Sequence, residues 1–388
     1  MQLNRMSLLL VLGLTLPGNM IGADETKASA KVKSNAELLA EAWPDRPEWL
    51  DMYTDILEGS QLGPMDGWFR RAVAQVKFNW EATRKKYDRS GNGAVSREEF
   101  KGNDQDFGRL DRNGDKVLTE PDFDFSVSYQ APNPGLMIFN RLDKNSDGRV
   151  SADEYQGFFK ILSGNTGFLS SNDLQEALTP PARPIAAQAT AKSASEPSKE
   201  TLVKALFKQE LGSLQPGPAL GENYRDFTLK TQDGKASVTL SKMVGEKPVV
   251  LVFGNFTCGP FRRDAGNLEK IFLRYKDRAN FVMVYVREAH PTGGWKMDSN
   301  ERAGVSLPQP TTYDERAKVA ALCASHLDLS FPIVVDTIDD AVGGYYSGMP
   351  SRLYLIDRQG KIAFKNGRGP FGFKAAELEQ SLILLLQE

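Results

Sequence analysis

The chain has only two cysteines and two histidines, so few of its residues can act as nucleophiles or bases. Of these, Cys258 lies in a sequence context that favours a reactive thiol. Cys258 follows the apolar run 249–253, which is rich in β-branched residues and predicts a strand buried on both faces. Gly-Pro and a helical pattern come directly after it. The N–H groups and dipole of a helix N-terminus favour a thiolate, so we expect Cys258 to be an acidic nucleophile.

Two stretches have the spacing of a calcium-binding EF-hand loop. Residues 88–99 and 143–154 carry oxygen-bearing side chains at loop positions 1, 3, 5, 9 and 12, with the turn glycine at position 6. Residues 143–154 carry three ligating acids and residues 88–99 carry two, so we expect residues 143–154 to bind Ca²⁺ more tightly. With the backbone carbonyl of position 7, the predicted ligands are Asp88, Ser90, Asn92, Ala94, Glu99, Asp143, Asn145, Asp147, Arg149 and Glu154.

Residues 111–122 carry a weaker version of the same loop. Lys116 replaces the turn glycine, and the closing carboxylate is one methylene short, which weakens Ca²⁺ binding and suits Mg²⁺ better. Residues 162–173 keep only the glycine, an apolar residue and a terminal acid, so we expect this fourth loop to be a metal-free partner of the third. A polar surface turn is the alternative for each loop. The predicted ligands of residues 111–122 are Asp111, Asn113, Asp115, Val117 and Asp122.

Composition limits the classes of function. The 388 residues have a formal net charge of −2 and no long basic run, which disfavours nucleic-acid binding. The cysteine and histidine inventory is too small for the usual structural zinc sites or for a disulfide framework. Residues 1–23 combine Arg5, a short apolar core and small residues, so they predict a signal peptide and an exported, periplasmic or secreted protein. An ordinary N-terminal helix is the alternative.

The pattern along the chain predicts a multidomain protein: an all-α EF-hand domain at 24–178 and an α/β domain at 201–388. Residues 179–200 between them are rich in Pro, Ala and Ser and predict a flexible linker. Tight coupling between the two domains is therefore not expected. No segment is predicted to span a membrane.

The order of elements after residue 216 resembles the thioredoxin fold. Thr257-Cys258-Gly-Pro-Phe261 is similar to its redox turn, with Phe261 where a second cysteine usually lies. Met349-Pro350 is similar to the cis-proline that lies beside the nucleophile in that family. The resemblance implies that Pro350 contacts the substrate.

A closer resemblance, over most of residues 245–385, is to the iodothyronine deiodinases. It is carried by Phe253-Gly-Asn-Phe-Thr-Cys, Glu288-Ala-His290-Pro-Thr-Gly-Gly-Trp, Pro332-Ile-Val-Val-Asp-Thr and Gly367-Arg368-Gly-Pro. The resemblance places Cys258 where the family has selenocysteine, implies that Glu288 and His290 are catalytic, and implies that Arg368 binds the substrate. It also implies a small-molecule substrate, such as a halogenated aromatic, and an external thiol reductant.

Some positions depart from the deiodinase pattern. Phe256 replaces a cysteine of many members, Pro310 stands where a substrate-binding histidine is expected, and Ser351 replaces a glutamate. Several substrate contacts therefore differ while the redox core is kept, and the natural substrate stays open.

Three hypotheses follow for the whole chain. The first is a deiodinase-like thiol oxidoreductase with a calcium-binding module. The second is a thioredoxin- or peroxiredoxin-like thiol reductase, in which Cys258 forms a sulfenic acid. The third is a calcium-responsive binding protein without catalysis. Cys323 is either a buried apolar residue or a resolving thiol for Cys258, and the oligomeric state, including a dimer, is open.

Overall fold

A computed structural model describes residues 35–44, 47–60, 73–126, 134–164, 166–178 and 197–388. The predicted signal peptide and most of the predicted linker lie outside the described residues. Every helix among these residues is too short or too polar to cross a bilayer.

Short helices dominate the N-terminal part, as the helical pattern predicts. Three two-residue strands interrupt them, so this part is not all-α. The elements are α1 (Asn35–Ala42), α2 (Glu48–Leu57), β1 (Gln75–Val76), α3 (Trp80–Tyr87), β2 (Val95–Ser96), α4 (Asp104–Leu110), β3 (Val117–Leu118), α5 (Glu120–Phe123), α6 (Pro134–Leu142), α7 (Ala152–Ser163) and α8 (Ser171–Leu178).

Strands and helices alternate in the C-terminal part, as the predicted α/β domain requires. The elements are α9 (Lys199–Phe207), β4 (Thr228–Lys230), β5 (Ser237–Thr239), β6 (Val249–Gly254), α10 (Gly259–Tyr275), β7 (Asn280–Tyr285), α11 (Asp298–Arg302), α12 (Tyr313–His326), β8 (Ile333–Val335), α13 (Ala341–Tyr345), β9 (Arg352–Ile356), β10 (Ile362–Lys365) and α14 (Ala375–Leu385).

One mixed sheet organises the C-terminal part, with strand order β1-β10-β9-β6-β7-β8. Strands β6, β7 and β8 are parallel, β9 pairs antiparallel with β6, and β10 pairs antiparallel with β9. Every residue of β6 is buried, which explains its unbroken apolar sequence. A loop of residues 255–258 joins β6 to helix α10. Cys258 therefore lies between the carboxyl end of a central strand and the start of a helix, in a thioredoxin-like arrangement.

The EF-hand part packs directly on this sheet. Strand β1 pairs antiparallel with β10, where Val76 lies opposite Phe364. Side chains around the first two loops, among them Tyr87 and Phe100, belong to the same buried cluster as β6 and α10. The expectation of loosely tethered domains is therefore wrong, because apolar residues of both parts are removed from water together. The flexible linker also ends earlier than predicted, since α9 begins at Lys199 with Ser198 as its N-cap.

A buried ion pair fixes α2 to the C-terminal part. The Glu48 carboxylate lies 2.8 Å from Nε of Arg368 and 3.5 Å from Nη2 of Arg352. Both guanidinium groups are almost completely buried. Burial opposes the charge of Glu48, but the two arginines outweigh it and lower the pKa of Glu48 to about 2. In this structure the Arg368 guanidinium pairs with α2, and its contact with a substrate stays a prediction.

The third EF-hand loop meets α10 by close backbone contact. A Cβ atom at Gly266 would overlap the carbonyl oxygen of Gly148, and one at Gly148 would overlap the carbonyl oxygen of Arg262. Gly148 also has φ +78, in the left-handed region that favours glycine. These two glycines allow a loop and a helix to approach more closely than side chains permit.

Substituting Gly266 tests this contact. Because Gly266→Ala forces the loop away from α10, we expect it to lower the free energy of unfolding by about 1–3 kcal/mol. Gly157→Ala in α7 is the matched control, since its Cβ would enter open space and alanine favours a helix by up to ~1 kcal/mol. Urea denaturation followed by circular dichroism measures both. Equal stabilisation by the two substitutions would contradict the packing described.

The Glu48 ion pair predicts a pH-dependent stability. Since the folded-state pKa lies below the ordinary value of 4.5, the contribution is complete above about pH 4.5 and is lost as the pH falls towards 2. Glu48→Gln leaves buried arginines uncompensated, so we expect a loss of about 3 kcal/mol at pH 7 and a clearly smaller loss at pH 3. Denaturant unfolding at the two pH values, wild type against variant, gives the difference; a loss independent of pH would refute the assignment.

Candidate functional site

Cys258 is the N-cap of α10, as the sequence predicts, but its side chain is buried. Burial raises the pKa of the thiol, although the Phe261 N–H, the Ser351 hydroxyl and the Arg262 charge each act to lower it. The Sγ atom lies 3.8 Å from Oγ of Ser351. The expected low pKa is therefore wrong for this conformation, because desolvation of the sulfur outweighs the helix terminus.

One apolar cavity of about 290 Å³ gives access to the thiol. The residues that line it include the start of α10, the pair Ala289 and His290, and Met52 of α2. The predicted substrate-contacting Pro350 lines it, and the Met349–Pro350 bond is cis, as expected. Further lining residues are Leu211, Pro260, Trp295, Met297, Asn300, Pro370 and Phe371.

His290 is held as a neutral imidazole at this cavity. Burial lowers its pKa to about 4, and the nearby Arg262 charge acts in the same direction. Its Nδ1 lies 3.0 Å from the carbonyl oxygen of Trp295, and the two rings pack edge to face with centroids 5.0 Å apart. Because a carbonyl only accepts hydrogen bonds, Nδ1 carries the proton, and Nε2 has a free lone pair.

The Glu288 carboxylate pairs with other groups than this imidazole. Its carboxylate is buried and accepts hydrogen bonds from the Tyr285 hydroxyl, from the Thr257 N–H at 2.9 Å and from the Thr257 hydroxyl at 2.7 Å. Burial raises its pKa, although these donors act to lower it. Glu288 thus positions the loop before Cys258 rather than His290.

Two asparagines that the sequence analysis did not select complete the site. Asn255 donates to the Pro350 carbonyl at 2.8 Å and accepts from the Ala289 N–H at 3.1 Å. Asn300 donates to the Thr257 carbonyl at 2.8 Å. Both are buried. An amide directly after a buried apolar strand, as at Asn255, is a signal that sequence reading could have used, whereas Asn300 gives none.

The remaining sulfur lies deep in the core. Cys323 is a free thiol with no exposed surface. Burial raises its pKa well above the ordinary value, and the charge of Glu288 adds to this. This fits the interpretation of Cys323 as a buried apolar residue; its resolving role stays a prediction.

The first EF-hand loop has a carboxylate side chain at each end, and backbone N–H groups of the loop donate to both. Asp88 accepts from the N–H groups of Gly91 and Gly93, at 2.7 and 3.0 Å. Glu99 accepts from the N–H groups of Ser96 and Ser90, which lower its pKa to about 2. Strand β2 of the first loop pairs antiparallel with strand β3 of the second loop, so these two loops form an EF-hand pair.

The second loop has the same shape but a less available closing acid. Lys116 adopts φ +71, the conformation that Gly93 and Gly148 have in the other loops. Asp122 is fully buried, and its carboxylate accepts from the N–H groups of Arg112 and Thr119, both at 2.9 Å. Loop N–H groups hold Glu99 and Glu154 in the same way, so what distinguishes Asp122 is its shorter and more deeply buried side chain, which fits weaker metal binding.

The third loop has the donor set best suited to a hard cation. Asp143 is half-buried; burial raises its pKa, and the charges of Asp147 and Glu154 raise it further. Such mutual repulsion is what a divalent cation relieves. No three His, Cys, Asp or Glu side chains converge on one point in the described parts of the chain, so loop amide, hydroxyl and carbonyl oxygens must complete any site.

Comparison with known proteins agrees with both halves of this description. Residues 199–384 match the family model of iodothyronine deiodinase, and residues 136–159 match an EF-hand model that contains the third loop. Thyroxine 5-deiodinase of Gallus gallus is 34% identical over 134 residues, which are 34% of this chain and 50% of that protein. The enzyme of the same name from Sparus aurata is 31% identical over 143 residues, which are 37% of this chain and 52% of that protein.

Similar solved structures are more distant. A protein disulfide isomerase candidate of Bacteroides thetaiotaomicron has a TM-score of 0.33 and 24% identity, covering 44% of this chain and 92% of its own. A thiol-disulfide oxidoreductase domain of Bacteroides vulgatus has a TM-score of 0.28 and 20% identity, covering 39% and 90%. The chain spans about half the length of the curated relatives it matches. Residues 199–384 are therefore similar to the iodothyronine deiodinases, and a segment that matches an EF-hand model precedes them in this chain.

Proposed function

We propose that this protein is an exported thiol oxidoreductase that removes halogen reductively from a small aromatic substrate, with a calcium-binding EF-hand module. The observation that carries the proposal is the meeting of the Cys258 thiol, the neutral His290 imidazole and Pro350 at one apolar cavity. Export rests on the pattern of residues 1–23 alone. The cavity of about 290 Å³ is mostly apolar, as an aryl halide requires.

The free Nε2 of His290 can accept the thiol proton as Cys258 attacks the halogen. The carbon–halogen bond then breaks, its electron pair stays on the ring carbon, and sulfur forms a bond to the halogen. The resulting imidazolium returns the proton to the carbanion, which gives the dehalogenated arene. An external thiol attacks the sulfenyl halide, releases halide and leaves a mixed disulfide. A second external thiol cleaves that disulfide and restores Cys258.

The surrounding polar groups support this chemistry by position. Glu288 and Asn300 hold the N–H and the carbonyl of Thr257 on either side, so the nucleophile is presented from a rigid loop. Ser351 lies beside the sulfur and can donate to a thiolate. A thiolate in place of a selenolate predicts slow turnover, because its affinity for halogen is lower.

The first and third EF-hand loops are proposed to bind Ca²⁺, and the second more weakly. Asp143, Asn145, Asp147, Glu154 and the Arg149 carbonyl would hold the ion in the third loop. A bound Ca²⁺ supplies a +2 charge that draws these oxygens together. The EF-hand match over residues 136–159 supports this part of the proposal.

Incubation with an iodinated phenol and dithiothreitol tests the enzyme proposal. We expect iodide release, lost completely in Cys258→Ser and reduced by about 10²–10⁴-fold in His290→Gln, as for removal of a general acid–base. Cys323→Ser is the matched control and is expected to keep most of the activity if Cys323 is structural. Peroxide consumption without iodide release would favour the thiol-peroxidase alternative, and neither activity would favour a binding protein.

Calcium is expected to raise the melting temperature, because it binds the folded loops and not the unfolded chain. Glu154→Gln should remove more of this shift than Asp122→Asn, since the Asp122 side chain is one methylene shorter and is fully buried. Differential scanning calorimetry with and without Ca²⁺ measures the shift for each variant. Equal effects of the two substitutions would contradict the ranking of the loops.

A further inference from the structure

The third EF-hand loop lies directly on the helix that presents the thiol. Its turn at Gly148 packs against the backbone of Arg262 and Gly266, in the first two turns of α10. By contrast, nothing lies within 4 Å of a Cβ atom placed at Gly93, the equivalent turn of the first loop. Of these two predicted calcium loops, the third is thus the one whose turn is packed against the start of α10.

A second contact extends the same interface. Arg149, at loop position 7, donates to the Leu327 carbonyl at 3.0 Å and to the Asp328 carboxylate at 2.8 Å. Both acceptors follow α12. The residue whose carbonyl is expected to bind Ca²⁺ therefore also ties the loop to the C-terminal domain. An ion that orders this loop must therefore also order the hydrogen bonds of the Arg149 side chain.

Arg262 continues the connection to the thiol. Its backbone contacts Gly148, while its buried guanidinium donates to the Phe256 carbonyl and, at 2.8 Å, to the Asn300 side chain. Asn300 in turn donates to the Thr257 carbonyl. One residue thus joins the calcium loop to both residues that precede Cys258. The geometry makes Arg262 a positioning residue for the loop that precedes Cys258.

We propose that Ca²⁺ bound in the third EF-hand loop regulates the Cys258 site by clamping the start of α10 through Gly148, Arg149 and Arg262. This regulation rests on the proposed calcium and thiol functions, and it names a coupling between them. Ca²⁺ gathers the ligands of the loop and lowers its freedom, so the loop holds α10 more firmly. Local opening at the buried thiol then becomes rarer.

Hydrogen exchange of the intact protein, followed by mass spectrometry, measures this opening without any need for turnover. We expect Ca²⁺ to slow exchange in peptides from residues 256–266 by about tenfold, within the range usual for coupling between two sites. Alkylation of Cys258, identified by peptide mass, should slow in parallel. Glu154→Gln should abolish both effects, and the matched variant Glu99→Gln in the first loop should keep them. No effect of Ca²⁺, or an equal loss in both variants, would overturn the proposal.

A second set of variants separates the coupling from calcium binding itself. Arg149→Ala and Arg262→Lys should still bind Ca²⁺ in isothermal titration but should lose most of the protection at residues 256–266. Arg263→Ala is the control, because that side chain is exposed on the same turn. Full protection in Arg149→Ala and Arg262→Lys would overturn the route. Iodide release assayed separately decides the enzyme proposal, so its failure leaves the coupling result standing.

Discussion

The structure depends on satisfying a polar loop that is buried at the carboxyl end of β6. Residues 255–258 have almost no exposed surface, yet they include two polar side chains and a turn of backbone. Glu288, Asn300 and Tyr285 come from other segments to pair with this loop. An unpaired buried polar group costs roughly 1–3 kcal/mol, so these partners fix one geometry for the thiol. Reactivity is thus constrained by packing and hydrogen bonding together.

Burial also determines the protonation states of the site. Desolvation raises the pKa of Cys258 and Glu288 and lowers that of His290. All three shifts favour neutral groups, which suits a mostly apolar cavity. In the free protein the neutral form of the Cys258 thiol is therefore favoured.

The N-terminal half belongs to the same folding unit as the sheet. Strand β1 extends the sheet edge, Glu48 neutralises buried arginines, and the third EF-hand loop packs on α10. These contacts share one principle: each removes from water a group that the C-terminal part alone leaves exposed or unpaired. The EF-hand part therefore covers and orders the thiol domain. This arrangement is the physical basis of the proposed coupling between Ca²⁺ and the Cys258 site.

Local sequence determined the elements that local chemistry controls. The apolar run before Cys258 gives β6, the Gly-Pro after it gives the start of α10, and oxygen spacing identifies the EF-hand loops. Tertiary structure alone decided which side chains meet. Glu288 accepts a hydrogen bond from Thr257, and Glu48 of α2 forms an ion pair with Arg368. Burial raises the pKa of Cys258, where the helix terminus alone predicts a lower one. The reason is that hydrogen-bond partners and desolvation come from residues far apart in the chain, whereas turns and strands follow from neighbouring residues.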